Sequence, residues 1–324
     1  MRSILQLFLL LCFPGLATSQ GPSEFTSPHG NNLELYKAIN FPWNVKEVPI
    51  CFNSTLCPRE ASYTWDHYFD YLVHGKITVF PEFYLPWDKT GFEALRRRVD
   101  AGGGKILADL RLNSNYFNKT AFLKSAATFV KDYRVDGFFV RLPFNDAEAF
   151  QPLEDVFEAA KKLNILSSLW FSSDDWKRVK EKGLGKKADI NFVTLWPNYA
   201  DQIQDFNTDC FAGAVINNVT KAGIDLNKLV MTIPLLARAN EHSDSGYSGA
   251  IYDCGGDPKG NGSIACSPGD DFYFFSQRRA IDKIGVAKKH GLHGIALSGG
   301  DFLLAADLYP WDKDSLIHAL AASD

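Results

Sequence analysis

The chain lacks a dominant charge of either sign, any apolar run long enough to cross a bilayer, any Cys or His cluster at metal-ligand spacing, and any glycine-rich turn following an early strand. Each absence excludes a class of protein. A formal charge of −4, with 34 Lys+Arg against 38 Asp+Glu, gives no electrostatic footprint for nucleic acid or an anionic membrane. The seven histidines are scattered singly, so they read as surface or core residues, with no metal and no cofactor implied. Ala101-Gly102-Gly103-Gly104 precedes a strand instead of following one, which makes it a helix-stop turn and removes the main signature of a doubly wound nucleotide-binding sheet. Arg96-Arg97-Arg98 reads as a solvated helix face.

What is present begins with a leader. Met1-Arg2-Ser3, the apolar stretch from Ile4 to Leu16 and the small residues Ala17-Thr18-Ser19 match a secretory signal peptide over residues 1–19. Its apolar run falls short of the roughly 20 residues a membrane span needs, and Pro14-Gly15 interrupts it. No later segment is long and apolar enough to span, so the protein is expected outside the cell. Cys12 leaves with the leader. In an oxidising compartment the economical pairings of the rest are Cys51 with Cys57 and Cys254 with Cys266, leaving Cys210 unpaired as a buried helix residue. Four N-x-S/T sequons, at Asn53, Asn118, Asn218 and Asn261, are candidate glycosylation sites.

Residues 20–45 are polar and rich in Ser, Pro and Gly, and read as an N-terminal arm. Val48 to Phe52 is a candidate first strand. Thereafter strands and helices alternate: strands at Lys76–Tyr84, Lys105–Leu112, Val135–Phe144, Ile165–Phe171, Ile190–Trp196, Lys228–Pro234 and Gly294–Leu297, each followed by a helical pattern. Near-continuous apolar strands in strict β-then-α order predict an α/β fold with a parallel sheet and outer helices. A chain of 324 residues suits one eight-stranded (β/α)8 TIM barrel of roughly 250 residues over 46–324. A short irregular insertion, about 239–271, follows strand seven.

Val135-Asp136-Gly137-Phe138-Phe139-Val140-Arg141-Leu142-Pro143 resembles the fourth strand of glycoside hydrolase family 18, the chitinases and chitinase-like lectins, whose motif is D-G-x-D-x-D-x-E. Asp136 and Gly137 match. Phe139, Arg141 and Pro143 stand where two aspartates and the glutamic proton donor would be. Lys228 to Arg238 resembles the family's seventh strand, K-L-V-L-G-I-P-x-Y-G-R, and Phe272 to Ser276 with Gly291 to Ile295 resemble its approach to strand eight. The likeness covers roughly 46–320. It fails at the mouth: Ser298 takes the place of the strand-eight Trp, Asp109-Leu110-Arg111-Leu112 that of S-x-G-G, and Thr194-Leu195-Trp196-Pro197 that of M-x-Y-D.

Family 18 hydrolysis, as the resemblance implies, needs a carboxylic acid of raised pKa and an inward carboxylate two residues before it. Pro143 has no proton to give, and Arg141 is a permanent cation that disfavours an oxocarbenium-like transition state. No catalytic residue is therefore assigned, and the reading leans to a pseudoenzyme. An unpaired buried guanidinium costs several kcal/mol, so Arg141 is expected to pair with Asp109 or Glu82, either as a core ion pair or as a ligand contact. Aromatics near strand ends, Trp87, Trp196 and Tyr199 foremost, offer flat faces to sugar rings or pack loops, and Asp301 could hydrogen-bond a sugar or cap a segment. Three functions stay open: a secreted chitinase-like protein binding chitin, N-acetylglucosamine oligosaccharides or a partner protein without hydrolysis; a glycosidase using Glu82 or Asp109; and a protein-interaction or immune-modulating scaffold with no sugar ligand.

Overall fold

The computed structural model describes residues 36–41, 77–81, 89–101, 104–110, 112, 117–143, 150–240, 243–267, 269–298, 307–308 and 312–323. Eight strands form one sheet: β1 (Tyr36–Phe41), β2 (Ile77–Pro81), β3 (Leu107–Leu110), β4 (Gly137–Arg141), β5 (Leu166–Ser172), β6 (Ile190–Thr194), β7 (Leu229–Pro234) and β12 (Gly294–Ser298). Their order is β2-β1-β12-β7-β6-β5-β4-β3, and every paired neighbour is parallel. The two terminal strands of that order, β2 and β3, lie against each other, so the sheet curls into the expected (β/α)8 barrel. Helices Lys89–Ala101, Lys119–Asp132, Phe150–Leu163, Trp176–Lys182, Asp209–Lys221 and Gln277–His290 alternate with the strands. No described helix is long and apolar enough to cross a membrane.

The barrel begins earlier than the sequence suggested. Tyr36-Lys37-Ala38-Ile39-Asn40-Phe41, inside the expected arm of 20–45, is β1 and pairs with both β12 and β2. Lys37 and Asn40 break the apolar run that marked the other strands, which is why this one read as arm. The expected strand at 48–52, the leader at 1–19, and the Cys51–Cys57 pairing lie outside the described residues.

The insertion is ordered, not irregular. Four strands, β8 (Leu236–Asn240), β9 (Ser243–Gly246), β10 (Ser263–Ser267) and β11 (Asp270–Phe274), form an antiparallel sheet in the order β10-β11-β8-β9. The strand expected at Lys228–Pro234 is β7; Leu235, which follows it, donates its N–H to Ser298 O in the barrel at 2.8 Å before the chain enters β8. The Cys254–Cys266 disulfide is present. Asn207 fastens the insertion to the barrel by donating from Nδ2 to Gly262 O (3.0 Å) and Phe274 O (2.7 Å). At Gly262, φ is +79° and an added Cβ would lie 2.2 Å from Phe274 O, so only glycine serves there.

Cys210 corrects the expectation of a buried, unpaired thiol. It is exposed at the start of the helix Asp209–Lys221 and is bound in a disulfide; its partner is not among the described cysteines, since Cys254 and Cys266 hold each other.

Strand alternation separates two cores. Phe138 and Val140 point out into the layer beneath the helices, with Leu153, Val156, Leu169, Phe171 and Val193. Phe139 points in, with Leu107, Ile190, Phe192, Val230 and Ala296, and Leu166 and Trp170 pack on that plug. Each such large side chain, removed from water, contributes roughly 1.5–3 kcal/mol, and the filled interior makes the barrel a solid support for its mouth.

One buried charge pair holds the opposite end. Arg96 is 3% exposed, which corrects the solvated-face reading at that position, while Arg97 is exposed as expected. Its guanidinium pairs with Asp136 at 2.6 Å and Asp100 at 2.5 Å, while Asp136 Oδ2 also accepts the Ile106 N–H at 2.7 Å. Asp136, the first position of the family-18-like motif, is therefore a structural anchor joining β3, β4 and the preceding helix.

Candidate functional site: the barrel mouth

The mouth is built where β4, β5, β6, β7 and β12 end. In register across β3 and β4, Asp109 lies opposite Phe139, and Arg141 follows two residues on, opposite Trp170 of β5. Arg141 Nη2 and Asp109 Oδ2 are 2.9 Å apart, with side-chain exposures of 14% and 1%. The guanidinium also sits 5.6 Å from the Trp170 ring centroid, a cation–π placement. Asp109 is thus the partner expected for Arg141; Glu82, the other candidate, lies outside the described residues together with Trp87 and Asp301.

The remaining two motif positions have structural partners as well. Phe139 meets Phe192 edge to face at 5.3 Å, the arrangement aromatic quadrupoles favour. The Pro143 carbonyl accepts a hydrogen bond from Arg178 Nη2, and Arg178 Nη1 pairs with Asp175 at 2.9 Å. An aromatic ring, a guanidinium held by a buried carboxylate, and an imide without a proton occupy the three positions. None can protonate a glycosidic oxygen at neutral pH.

On the far side, Trp196 is half-buried with the Arg238 guanidinium over its ring at 5.5 Å. Arg238 is fixed by Asp244, Nε to Oδ1 at 2.6 Å, and donates from Nη1 to Pro197 O at 2.7 Å. One face of the indole is therefore already covered. Tyr199, three residues on, is 58% exposed.

Three features were not found from the sequence. Thr194 and Thr232 stand opposite one another on β6 and β7, both buried, and their hydroxyls meet no hydrogen-bond partner among the described residues; by alternation with Phe192 and Val230 they face the barrel interior. Ser172 and Ser173, at the end of β5, bond the side chain of Asn198. Asp174 lies just beyond, hydrogen-bonded to Gln202 and Asn198, and burial pushes its carboxyl above the ordinary aspartate range. Polar residues after a strand end read as turn chemistry in one dimension; only the barrel's closure brings them to a common rim. At the other end of the barrel an open cleft is lined by Lys105, Asp136, Asp189 and His293 among others, but its acids are engaged, Asp136 with Arg96 and Asp189 with the N–H and hydroxyl of Ser167.

Among the described residues no group of three or more His, Cys, Asp or Glu could hold a metal ion. The fold is a (β/α)8 barrel with an antiparallel insertion after its seventh barrel strand, and the barrel is similar to that of glycoside hydrolase family 18 chitinases. The chain is similar in structure to a family 18 chitinase from Flavobacterium johnsoniae, with a TM-score of 0.63 at 14% identity over 89% of this chain and 93% of that one. It is similar also to a family 18 N-acetylglucosaminidase from Paenibacillus barengoltzii (TM-score 0.57, 14% identity, 89% and 99% covered). A third neighbour is a family 18 chitinase from Cycas revoluta in complex with (GlcNAc)3 (TM-score 0.57, 15% identity, 88% and 98% covered). No family model and no curated protein matches the sequence. The likeness is one of fold.

Proposed function

We propose that this chain is a secreted chitinase-like protein whose barrel mouth binds chitin or related N-acetylglucosamine glycans without the hydrolysis typical of the fold. The observation that carries the reading is the Arg141–Asp109 pair at 2.9 Å. It places a fixed positive charge on the inward strand face where the fold's chemistry wants a carboxylate, and it engages the nearest described carboxylate as a counter-ion. Loss of the acid leaves sugar binding intact in principle, because stacking and hydroxyl contacts are independent of proton transfer. The (GlcNAc)3 complex of the Cycas revoluta chitinase supports a ligand of this class.

A second reading, an active glycosidase using a carboxyl foreign to the family, is favoured by Asp174, whose raised pKa suits a proton donor. The two are separated by whether bead-bound protein releases soluble sugar from chitin: release by the wild type that Asp174→Asn abolishes supports the glycosidase, and no release supports the binding reading. Retention of the wild type and of Asp174→Asn alike, eluted by soluble chitooligosaccharide, is the expected result. Passage of the wild type through the column unretarded contradicts the binding reading and leaves a partner protein as the ligand to pursue.

A further inference from the structure

The net charge of −4 is unevenly placed, and the fold is what separates it. Each strand of a parallel barrel runs from base to mouth and each helix returns, so helix C-termini gather at the base. An exposed lysine precedes each of β3, β4, β5, β6, β7 and β12 there: Lys105, Lys131, Lys161, Lys186, Lys221 and Lys289. None of them is in a salt bridge among the described residues. The mouth side carries the opposite sign, with Asp201 and Asp205 after β6 and Asp257 and Asp271 in the insertion all exposed. A lysine in a last helical turn complements the helix dipole, but Lys105 stands in no helix, and the dipole does not account for the cleft at the base. Lys105, Lys161 and Lys186 line that cleft together with Asp136, Glu154, Glu158 and Asp189. Asp136 is held by Arg96, Glu154 by Lys187 and Glu158 by Lys119, and Asp189 accepts from Ser167. The charge left over on the rim is therefore mostly lysine.

We propose that the base of the barrel docks on an anionic bilayer, its ring of lysines meeting lipid phosphates and the cleft at Lys105, Lys161 and Lys186 seating one headgroup. A bilayer fits this face better than a linear polyanion does. The lysines are set around the circumference, one before each of these strands, where a plane of charge meets all of them and a single thread of charge meets only a few. No described helix is long and apolar enough to cross a membrane, so the attachment is peripheral and electrostatic, and the mouth faces away from the surface. The whole-chain charge gives no footprint for such a surface because it averages two ends of opposite sign. This docking is independent of what the mouth binds.

The test is co-sedimentation of the purified full-length protein with vesicles of phosphatidylcholine alone and of phosphatidylcholine with phosphatidylserine. Pelleting with the mixed vesicles, none with phosphatidylcholine, and release at ~0.5 M salt, where exposed charges are screened, are expected. Lys161→Gln with Lys186→Gln should weaken binding about 25-fold, roughly fivefold per lysine. Lys259→Gln with Lys313→Gln removes the same charge from exposed lysines on the mouth side and should leave affinity within about twofold. All four positions are exposed, so both double variants keep the fold. Equal loss in the two double variants overturns the proposal, since net charge and not the base would then govern binding. Equal pelleting with both vesicle types, or none with either, overturns it as well. Capture on immobilised heparin without pelleting on mixed vesicles overturns the bilayer and assigns the base to a linear polyanion.

Discussion

Asp109→Asn is the substitution that weighs the ion pair at the mouth. It preserves volume but removes the charge that Arg141 meets at 2.9 Å, in a site where Asp109 is 1% exposed and Arg141 14%. Removing one partner of a buried pair costs about 3–5 kcal/mol, because the remaining charge loses this counter-ion in a poorly solvated site. The residual solvent contact of Arg141 and its place over Trp170 put the expected loss at the lower end, about 3 kcal/mol. Arg141→Met, which removes the cation and keeps an adaptable apolar stem, takes the same counter-ion from Asp109 and is expected to cost a similar amount. The double variant Asp109→Asn with Arg141→Met should recover part of the loss, since neither charge is then left without its counter-ion. Denaturant unfolding of the four proteins closes the cycle and gives a coupling of about 2 kcal/mol or more. Single losses below about 0.5 kcal/mol that simply add would refute the claim that this pair governs the chemistry of the mouth.

Other substitutions test the frame around it. Gly137→Ala sets a Cβ 2.5 Å from Leu166 O and 2.8 Å from Leu107 Cδ2, and should lower stability by about 1–3 kcal/mol or more through overpacking of β4 between its neighbours, read as a lower unfolding midpoint. Asp307 is fully enclosed, accepts N–H bonds from Leu308, Leu316 and Ile317, and burial pushes its pKa up to about 6. A folded pKa above the unfolded value near 3.9 means stability is fully present below pH ~4 and declines as pH rises to about 6, by roughly 2–3 kcal/mol; Asp307→Asn should flatten that part of the stability–pH curve. Asn118 and Asn261 are exposed, whereas Asn218 lies within a helix and the Thr220 hydroxyl of its sequon bonds Ile216 O at 2.8 Å; glycopeptide mass spectrometry is expected to find glycan on the first two and none on Asn218.

The barrel was legible because strands buried on both faces carry near-continuous apolar runs, and β3 to β7 and β12 all announced themselves that way. β1 did not, with Lys37 and Asn40 interrupting its run, and the insertion strands β9 and β10 did not, because Ser, Asp and Gly residues on exposed strands leave no hydrophobic period to read. The alternation of Phe139 and Arg141 on one inner face followed from strand period; that period left Asp109 and Glu82 both open as partners of Arg141, and only the fold brings Asp109 to 2.9 Å. Arg96 was misread because a run of three like charges looks like one face, yet a helix turns about 100° per residue. Its spacing from Phe92 and Val99, both buried, places it on the inward stripe, and that spacing was the usable signal. Cys254 with Cys266 was local enough to infer; the disulfide at Cys210 depends on chain closure that no local spacing reveals. Thr194 and Thr232 are brought opposite each other by register across two parallel strands, information the linear order does not contain.

The barrel has a family 18 chitinase-like fold, and the proposal is that it works without that fold's proton donor. Release of fluorophore from an N-acetylglucosamine oligosaccharide glycoside, followed across pH ~4 to 8 with the purified protein, tests this. The account predicts no release above the blank at any pH. Sustained turnover that Asp174→Asn or Asp109→Asn abolishes would contradict it.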